Sequence, residues 1–227
     1  MDTFRSFFES ISVFSLEELP FVVIALVLAF TVHEFAHAFV AYKFGDTTAK
    51  DQGRLTLNPV QHLDPFGTIL ILIAGFGWAR PVPVMRSRFK NPRLAGILVS
   101  AAGPLSNFLI AFIAFGLFYF FVGVTGGGIP PFVIDLLQMI VELNILLFVF
   151  NLLPFPPLDG YRIIEDLSPP NVRVKMSQFE QYGILLFLVL VITPLDQYTI
   201  WPFLNTGMSA TGQAFSTIYG TIFSIFS

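Results

Sequence analysis

The sequence predicts an α-helical integral membrane protein, and three observations carry that reading. Of its 227 residues, 55% are hydrophobic and only 12% are charged, with a mean hydropathy of +0.75. A soluble domain of this size carries about twice that charge fraction. Four apolar stretches, at residues 19–42, 94–124, 131–153 and 182–200, are long enough to cross roughly 30 Å of hydrocarbon as helices, and a weaker fifth lies at 206–226. The basic residues are confined to the connections, with eight of the twelve Lys and Arg between Lys43 and Arg93 and three more in Arg162, Arg173 and Lys175. About four to five transmembrane helices follow, in a single polytopic domain over residues 1–227, with its core at about 19–165 and C-terminal helices at about 180–227.

The start, residues 1–18, carries Asp2, Glu9, Glu17 and Glu18 against Arg5 alone, the wrong charge for a secretory signal, so the first span is expected to stay in the product. The apolar run 67–76 is too short to cross and must dip into the bilayer or lie on protein. Residues 75–84 alternate small breakers with β-formers, which predicts a membrane-associated β-hairpin or edge strand. Positive charge places the two basic connections in the cytosol, while the uncharged connection 125–130 reads as an outside loop between spans running out and back. The expectation is a multi-pass cell-membrane protein with its N-terminus outside. A net charge of −3 without a basic stripe argues against a nucleic-acid partner. The absence of cysteine excludes disulfides and thiolate metal sites, leaving His, Asp and Glu as the strong ligands.

His33-Glu34-Phe35-Ala36-His37 lies inside the first span. Residues four apart share a helix face, so both imidazoles can reach one cation, and the carboxylate between them lies near enough to take a proton from a metal-activated water. A solvated polar pair would explain the same pattern in a soluble helix. In a bilayer it does not, because an ionisable group there costs at least roughly 2.5–3.5 kcal/mol and generally faces a cavity with a function. His33 lies about nine residues, or roughly 14 Å of helix, from the cytosolic end at Tyr42. The expected cofactor is one Zn2+ per chain.

Catalytic zinc usually takes three protein ligands and keeps one position for water. Two residues compete for the third place. His62 lies in the loop Asn58-Pro59-Val60-Gln61-His62-Leu63-Asp64-Pro65, and Asp159 follows a break at Pro154, Pro156 and Pro157 that ends the third span. Prolines there release backbone carbonyls that lipid cannot satisfy, so such a break belongs against protein or a wet cavity. Asp159-Gly160 is also a favoured pair for a plain turn.

Five motifs in order, His33 to His37, Gly53-Arg54-Leu55-Thr56-Leu57-Asn58-Pro59, the 77–84 stretch, Ala102-Gly103-Pro104-Leu105-Ser106-Asn107, and Asn151 through Gly160, together resemble the site-2 protease family of intramembrane zinc metalloproteases. The resemblance covers about residues 25–165 and lacks the PDZ or CBS domain of longer members. It implies that Asp159 rather than His62 completes the metal site with His33 and His37, that Glu34 is the general base, and that Asn151 lines the cleft as a donor to the scissile carbonyl. It also implies that Trp78, Ala79, Arg80, Pro81, Val82 and Pro83 contact an unwound substrate, a job that a free strand edge can do through its backbone. The substrate implied is a transmembrane protein cut in or near its membrane helix. Asn107 is expected to pack between helices, with Gly103 and Ser106 allowing close approach. His62 keeps no assigned role. Met85-Arg86-Ser87 and Tyr161 depart from the family pattern. A membrane metal transporter or metal sensor using the same His/Asp cluster is the alternative, though a permeation route generally needs several weak sites.

Overall fold

The computed structural model describes residues 12–74, 77–124, 126 and 128–225. The first eleven residues, Gly75 and Phe76 of the expected hairpin, Thr125 and Gly127 of the expected outside loop, and the last two residues of the chain lie outside the described residues. The helices are α1 (Leu19–Lys43), α2 (Thr48–Asp51), α3 (Pro65–Ala74), α4 (Pro92–Tyr119, continued by a wider turn over Phe120–Val124), α5 (Pro131–Asn151), α6 (Asp159–Leu167), α7 (Pro170–Ile192) and α8 (Asp196–Ser224). Proline opens α4, α5 and α7 where its missing N–H costs nothing, and the Asn91 side chain caps α4 by accepting from the Leu94 N–H.

Among the described residues, three helices are long and apolar enough to cross a membrane: α1, α4 with its extension to Gly123, and α5. A fourth is added only if the two parts of α7, bent by 59° beside Gly183, form one span. The lower end of the expected four to five is reached in that case, and a fifth span is not shown among the described residues. The apolar stretch 182–200 is not one helix, because Pro194 pushes Thr193 into extended backbone (φ −96°, ψ 158°) and ends α7, after which Asp196 opens α8. Helix α8 has the length to span but carries Asn205, Thr206, Ser209, Thr211 and Gln213, which dilute its apolar character. The 67–76 run forms the short helix α3, as its length requires.

The β-hairpin is absent among the described residues, which contain no strand. Residues 77–85 run without a ladder partner. Pro81 and Pro83 have no N–H to give a neighbouring strand, and the backbone groups of Arg80 and Val82 are held by a loop and two side chains instead.

Helices α1, α4 and α5 pack on one another, and small residues let them. The buried face of α1 carries Ala25, Ala29, Ala38 and Ala41, and that of α4 carries Ala95, Gly96, Ser100, Gly103, Ala111, Ala114 and Gly116. The leucines and isoleucines of α4, at 94, 98, 105, 109, 113 and 117, point outward. This inversion of the soluble pattern is expected in lipid, where large apolar side chains gain nothing by leaving the solvent and helices associate through close backbone contact.

Helix α8 closes the bundle against α4. Phe215 is fully buried between Phe108, Phe112 and Phe115, with ring centroids 5.2, 5.2 and 5.7 Å away. Tyr219 lies over Gly116 and donates its hydroxyl proton to the Phe112 carbonyl at 2.9 Å. Phe215→Ala is expected to cost about 3 kcal/mol, and Gly116→Leu to collide with the Tyr219 ring. Both should lower the thermal unfolding temperature in detergent; wild-type melting for the two would show that α8 does not pack on α4 this way.

Candidate metal centre

The centre is built where α1, α4 and the start of α6 meet. His33 and His37 stand one turn apart on the buried face of α1, and Asp159 is the first residue of α6. The His33 and His37 Nε2 atoms are 3.0 Å apart, and Asp159 Oδ2 lies 3.2 and 3.3 Å from them. This triangle is the group of ligand atoms among the described residues that could hold one ion. Ligands 2.0–2.1 Å from a tetrahedral zinc are roughly 3.3 Å from each other, so the spacing fits the ion.

The hydrogen bonds on the far sides of the rings strengthen the fit. His33 Nδ1 lies 2.6 Å from Asn107 Oδ1 on α4, and His37 Nδ1 lies 2.7 Å from the Val99 carbonyl. Both partners are acceptors, so both Nδ1 atoms carry the proton and both Nε2 atoms present lone pairs. Two lone pairs and a carboxylate oxygen then face one another. Such a set repels itself without a cation or a proton between its members.

Asp159 arrives there by a tight return. Helix α5 stops at Asn151, and the chain turns through Pro154, Pro156 and Pro157 with Leu153 buried beneath it. Gly160 is pressed against the backbone of Leu152 and Leu153, where a Cβ would lie 2.7 Å from the Leu153 carbonyl oxygen. The Asp-Gly pair is thus a point of backbone contact. Tyr161, the residue that departs from the family pattern, donates its hydroxyl proton to the Met176 carbonyl and ties α6 to α7.

Glu34 is buried on α1, and its Oε2 accepts the Val82 N–H at 2.8 Å. The 78–83 segment therefore touches the carboxylate between the two histidines. Its position is fixed further by the Arg80 N–H, which donates to the His62 carbonyl at 2.8 Å, and by buried Arg54, which donates to the Arg80 carbonyl. Trp78, Arg80 and Pro81 are exposed, whereas Ala79, Val82 and Pro83 are half-buried. His62 is fully buried with Nε2 2.7 Å from the Thr56 carbonyl, outside the ligand triangle. Asn151 turns its amide onto its own helix, donating to the Leu147 carbonyl at 2.9 Å.

Charged groups anchor the chain just beyond that segment. Asp46 Oδ2 accepts the Met85 N–H, and Arg86 reaches Asp166 at 2.7 Å and Glu165 at 3.5 Å on α6. Burial works to raise the Asp46 pKa, but hydrogen bonds from Thr48 and Met85 and the charge of Arg88 hold it below the ordinary value. Burial dominates at Asp166 and raises its pKa against the pull of Arg86, Arg173, Arg162 and Arg93.

Two features of the site were not legible beforehand as functional. Gly103, expected to admit a neighbouring helix, instead faces the His33 and His37 Nε2 atoms, so a Cβ there would stand among the ligands. Asn107, expected to pack between helices, bonds His33, and its amide N–H groups reach Ala29 and Asn144. The helical register that puts positions 103 and 107 one turn apart was available as a signal. Gly103→Ala should weaken zinc binding by at least about tenfold while leaving the unfolding temperature near wild type, as outer contacts of metal sites do when disturbed. Metal titration of the purified variant checks this, and unchanged affinity would remove Gly103 from the site wall.

Comparison with known proteins agrees with this geometry. The model of "Peptidase family M50" matches residues 21–132 and 130–194. The Bacillus subtilis (strain 168) protein named "Putative zinc metalloprotease YwhC" is 58% identical over 209 residues, covering 91% of this chain and 95% of the relative. The protein named "Putative zinc metalloprotease Rip2" of Mycolicibacterium smegmatis is 31% identical over 182 residues, covering 76% of this chain and 67% of its own length. Its namesake in Mycobacterium tuberculosis (strain H37Rv) is 28% identical with the same coverage. No solved structure gives a significant match. With the family matched over most of its length and with so close a relative, the chain belongs to peptidase family M50, the site-2 proteases, and is a multi-pass membrane zinc metalloprotease.

Proposed function

We propose that the chain is an intramembrane endopeptidase that hydrolyses a peptide bond in or near a transmembrane helix of a substrate protein, with zinc held by His33, His37 and Asp159. The observation that carries this reading is the convergence of two Nε2 lone pairs and a carboxylate oxygen beside a buried glutamate, on a helix apolar enough to span. Bound there, the ion supplies Lewis acidity toward the scissile carbonyl and lowers the pKa of water to about 7. Glu34, in the same turn of α1, takes the proton of the attacking water and returns it to the leaving amine.

A helical peptide bond is shielded by its own hydrogen bonds, so the substrate must be unwound before it can react. Residues Trp78 to Pro83 would hold it. Backbone groups of Arg80 and Val82 are already bonded to the protein. In extended chain the groups of alternate residues point the other way, which leaves Ala79, Pro81 and Pro83 for a peptide. Asn151 ends the helix before the proline break and would donate to the scissile carbonyl after leaving Leu147, a contribution of roughly 3 kcal/mol by analogy with other oxyanion donors. Arg86 to Asp166 and Arg93 to the Ser168 carbonyl join the two basic connections at one end of the bundle. That supports a shared cytosolic side for both, with the site nearer the cytosol and the N-terminus outside.

Metal analysis of purified protein should find one zinc in the wild type and in His62→Ala, and none in His33→Ala or Asp159→Ala. Retention of zinc by Asp159→Ala would remove that carboxylate from the ligand set. Glu34→Gln should keep its zinc yet cleave a tethered membrane helix in proteoliposomes at least about 100-fold more slowly. Cleavage at the wild-type rate would rule out Glu34 as the base.

A further inference from the structure

A chain of buried amides crosses the bundle behind His33. Asn107 on α4 and Asn144 on α5 are both fully buried. Beginning at the metal site, His33 Nδ1 donates to Asn107 Oδ1, Asn107 Nδ2 donates to Asn144 Oδ1 at 3.0 Å and to the Ala29 carbonyl at 3.3 Å, and Asn144 Nδ2 donates to the Ile140 carbonyl at 2.8 Å. Apart from the branch back to the Ala29 carbonyl, every bond runs in one direction, from the imidazole on α1 through α4 to a backbone carbonyl of α5.

That direction has a chemical consequence. An asparagine amide can rotate by half a turn and exchange its oxygen for its nitrogen. Were Asn107 to do so, its NH2 would face His33 Nδ1 and its oxygen would face two acceptors, Asn144 Oδ1 and the Ala29 carbonyl. His33 would then carry its proton on Nε2, the atom directed at the ion, and could not ligate through it. Rotation of Asn107 alone, with His33 changing tautomer to match, loses two bonds in fully buried surroundings. Rotation of both amides together restores the bond between them but sets Asn144 oxygen against the Ile140 carbonyl. Two backbone carbonyls break the symmetry, Ala29 beside Asn107 and Ile140 at the end of the chain, because a backbone carbonyl can only accept.

We propose that Asn144 is a positioning residue for the metal centre. Through Asn107 it fixes the tautomer of His33, so that the Nε2 lone pair is presented to zinc. Asn144 itself touches neither the ligand triangle nor the 78–83 segment in any described contact. The sequence position offers no other task for an amide, since hydrophobic residues flank it on α5 and a side chain of this kind in lipid must find partners inside the protein. The inference rests on the proposed zinc site, and it assigns to the third helix a part in ligand chemistry beyond delivering Asp159.

The test measures zinc affinity by chelator competition, on the folded fraction isolated in detergent, for the wild type, His33→Ala, Asn107→Ala, Asn144→Ala and Asn144→Asp. The same samples, stripped of metal and labelled with 15N-histidine, report the imidazole tautomer by NMR. Loss of an outer partner of a ligating histidine typically weakens binding by about 10- to 100-fold. Asn144→Ala should fall in that range together with Asn107→Ala, and both should show the His33 tautomers mixed. Asn144→Asp, with its carboxyl protonated, keeps an acceptor for Asn107 and a donor for the Ile140 carbonyl, and should bind within about threefold of the wild type, since the chain of bonds is then intact.

Wild-type affinity in Asn144→Ala, or equal weakening in Asn144→Ala and Asn144→Asp, overturns the proposal. Lowered thermal stability with unchanged affinity and tautomer does the same, as it marks a packing role alone. If Asn144→Ala does not fold, Asn107→Ala decides, and wild-type affinity there again overturns it. Failure of the zinc site is read separately, because the wild type would then bind no better than His33→Ala.

Discussion

Three atoms that repel one another hold the key position in this molecule. Two imidazole nitrogens and a carboxylate oxygen meet within 3.0 to 3.3 Å, and with both Nδ1 atoms of the neutral rings protonated, all three offer electrons. The fold must force them together, and its other parts are intelligible as the means. Helix α1 supplies the histidines at adjacent turns, α4 supplies acceptors that fix their outer nitrogens, and the return from α5 brings the aspartate. A divalent cation turns this mutual repulsion into attraction, so metal binding and tight packing reinforce each other here.

Close backbone contact is the structural condition for that arrangement. Alanine and glycine line the faces along which the first two spans meet, and glycine recurs where approach is nearest: Gly103 under the imidazoles, Gly160 on the end of the third span, Gly116 under Tyr219. The leucines of α4 point outward instead. The hydrophobic effect therefore contributes to insertion, while the fit between helices rests on contact and on buried polar bonds. Polar side chains inside the bundle are few, and those described above are tied to the ligands or to the segment beside them.

Much of this was legible in sequence because the chemistry is local. Two histidines four apart fix a shared face, and ten residues cannot cross a bilayer whatever surrounds them. The proline break marked the neighbourhood of Asp159 because free carbonyls in lipid need shelter. The failures have equally definite causes. Apolar content alone joined 182–200 into one span, although Thr193-Pro194 encodes a stop that averaging conceals. The alternation in 77–84 suggested a ladder, yet prolines at 81 and 83 remove the donors a ladder needs. Asn144 gave no signal, since a lone amide in an apolar helix does not reveal which neighbour it meets. The side chain of Asn107 could be placed at an interface, but its bond to His33 depends on helix rotation that periodicity leaves free.

The bond between Val82 and Glu34 bears on how an enzyme of this kind stays quiet. A carboxylate that already accepts a backbone N–H is held in one orientation by that bond. On the proposed mechanism, a peptide settling alongside this segment would tug on Val82 and so move the carboxylate at the moment of arrival. Substrate occupancy and the placement of the base would then be linked, and the surrounding membrane proteins that merely diffuse past would meet a protease at rest.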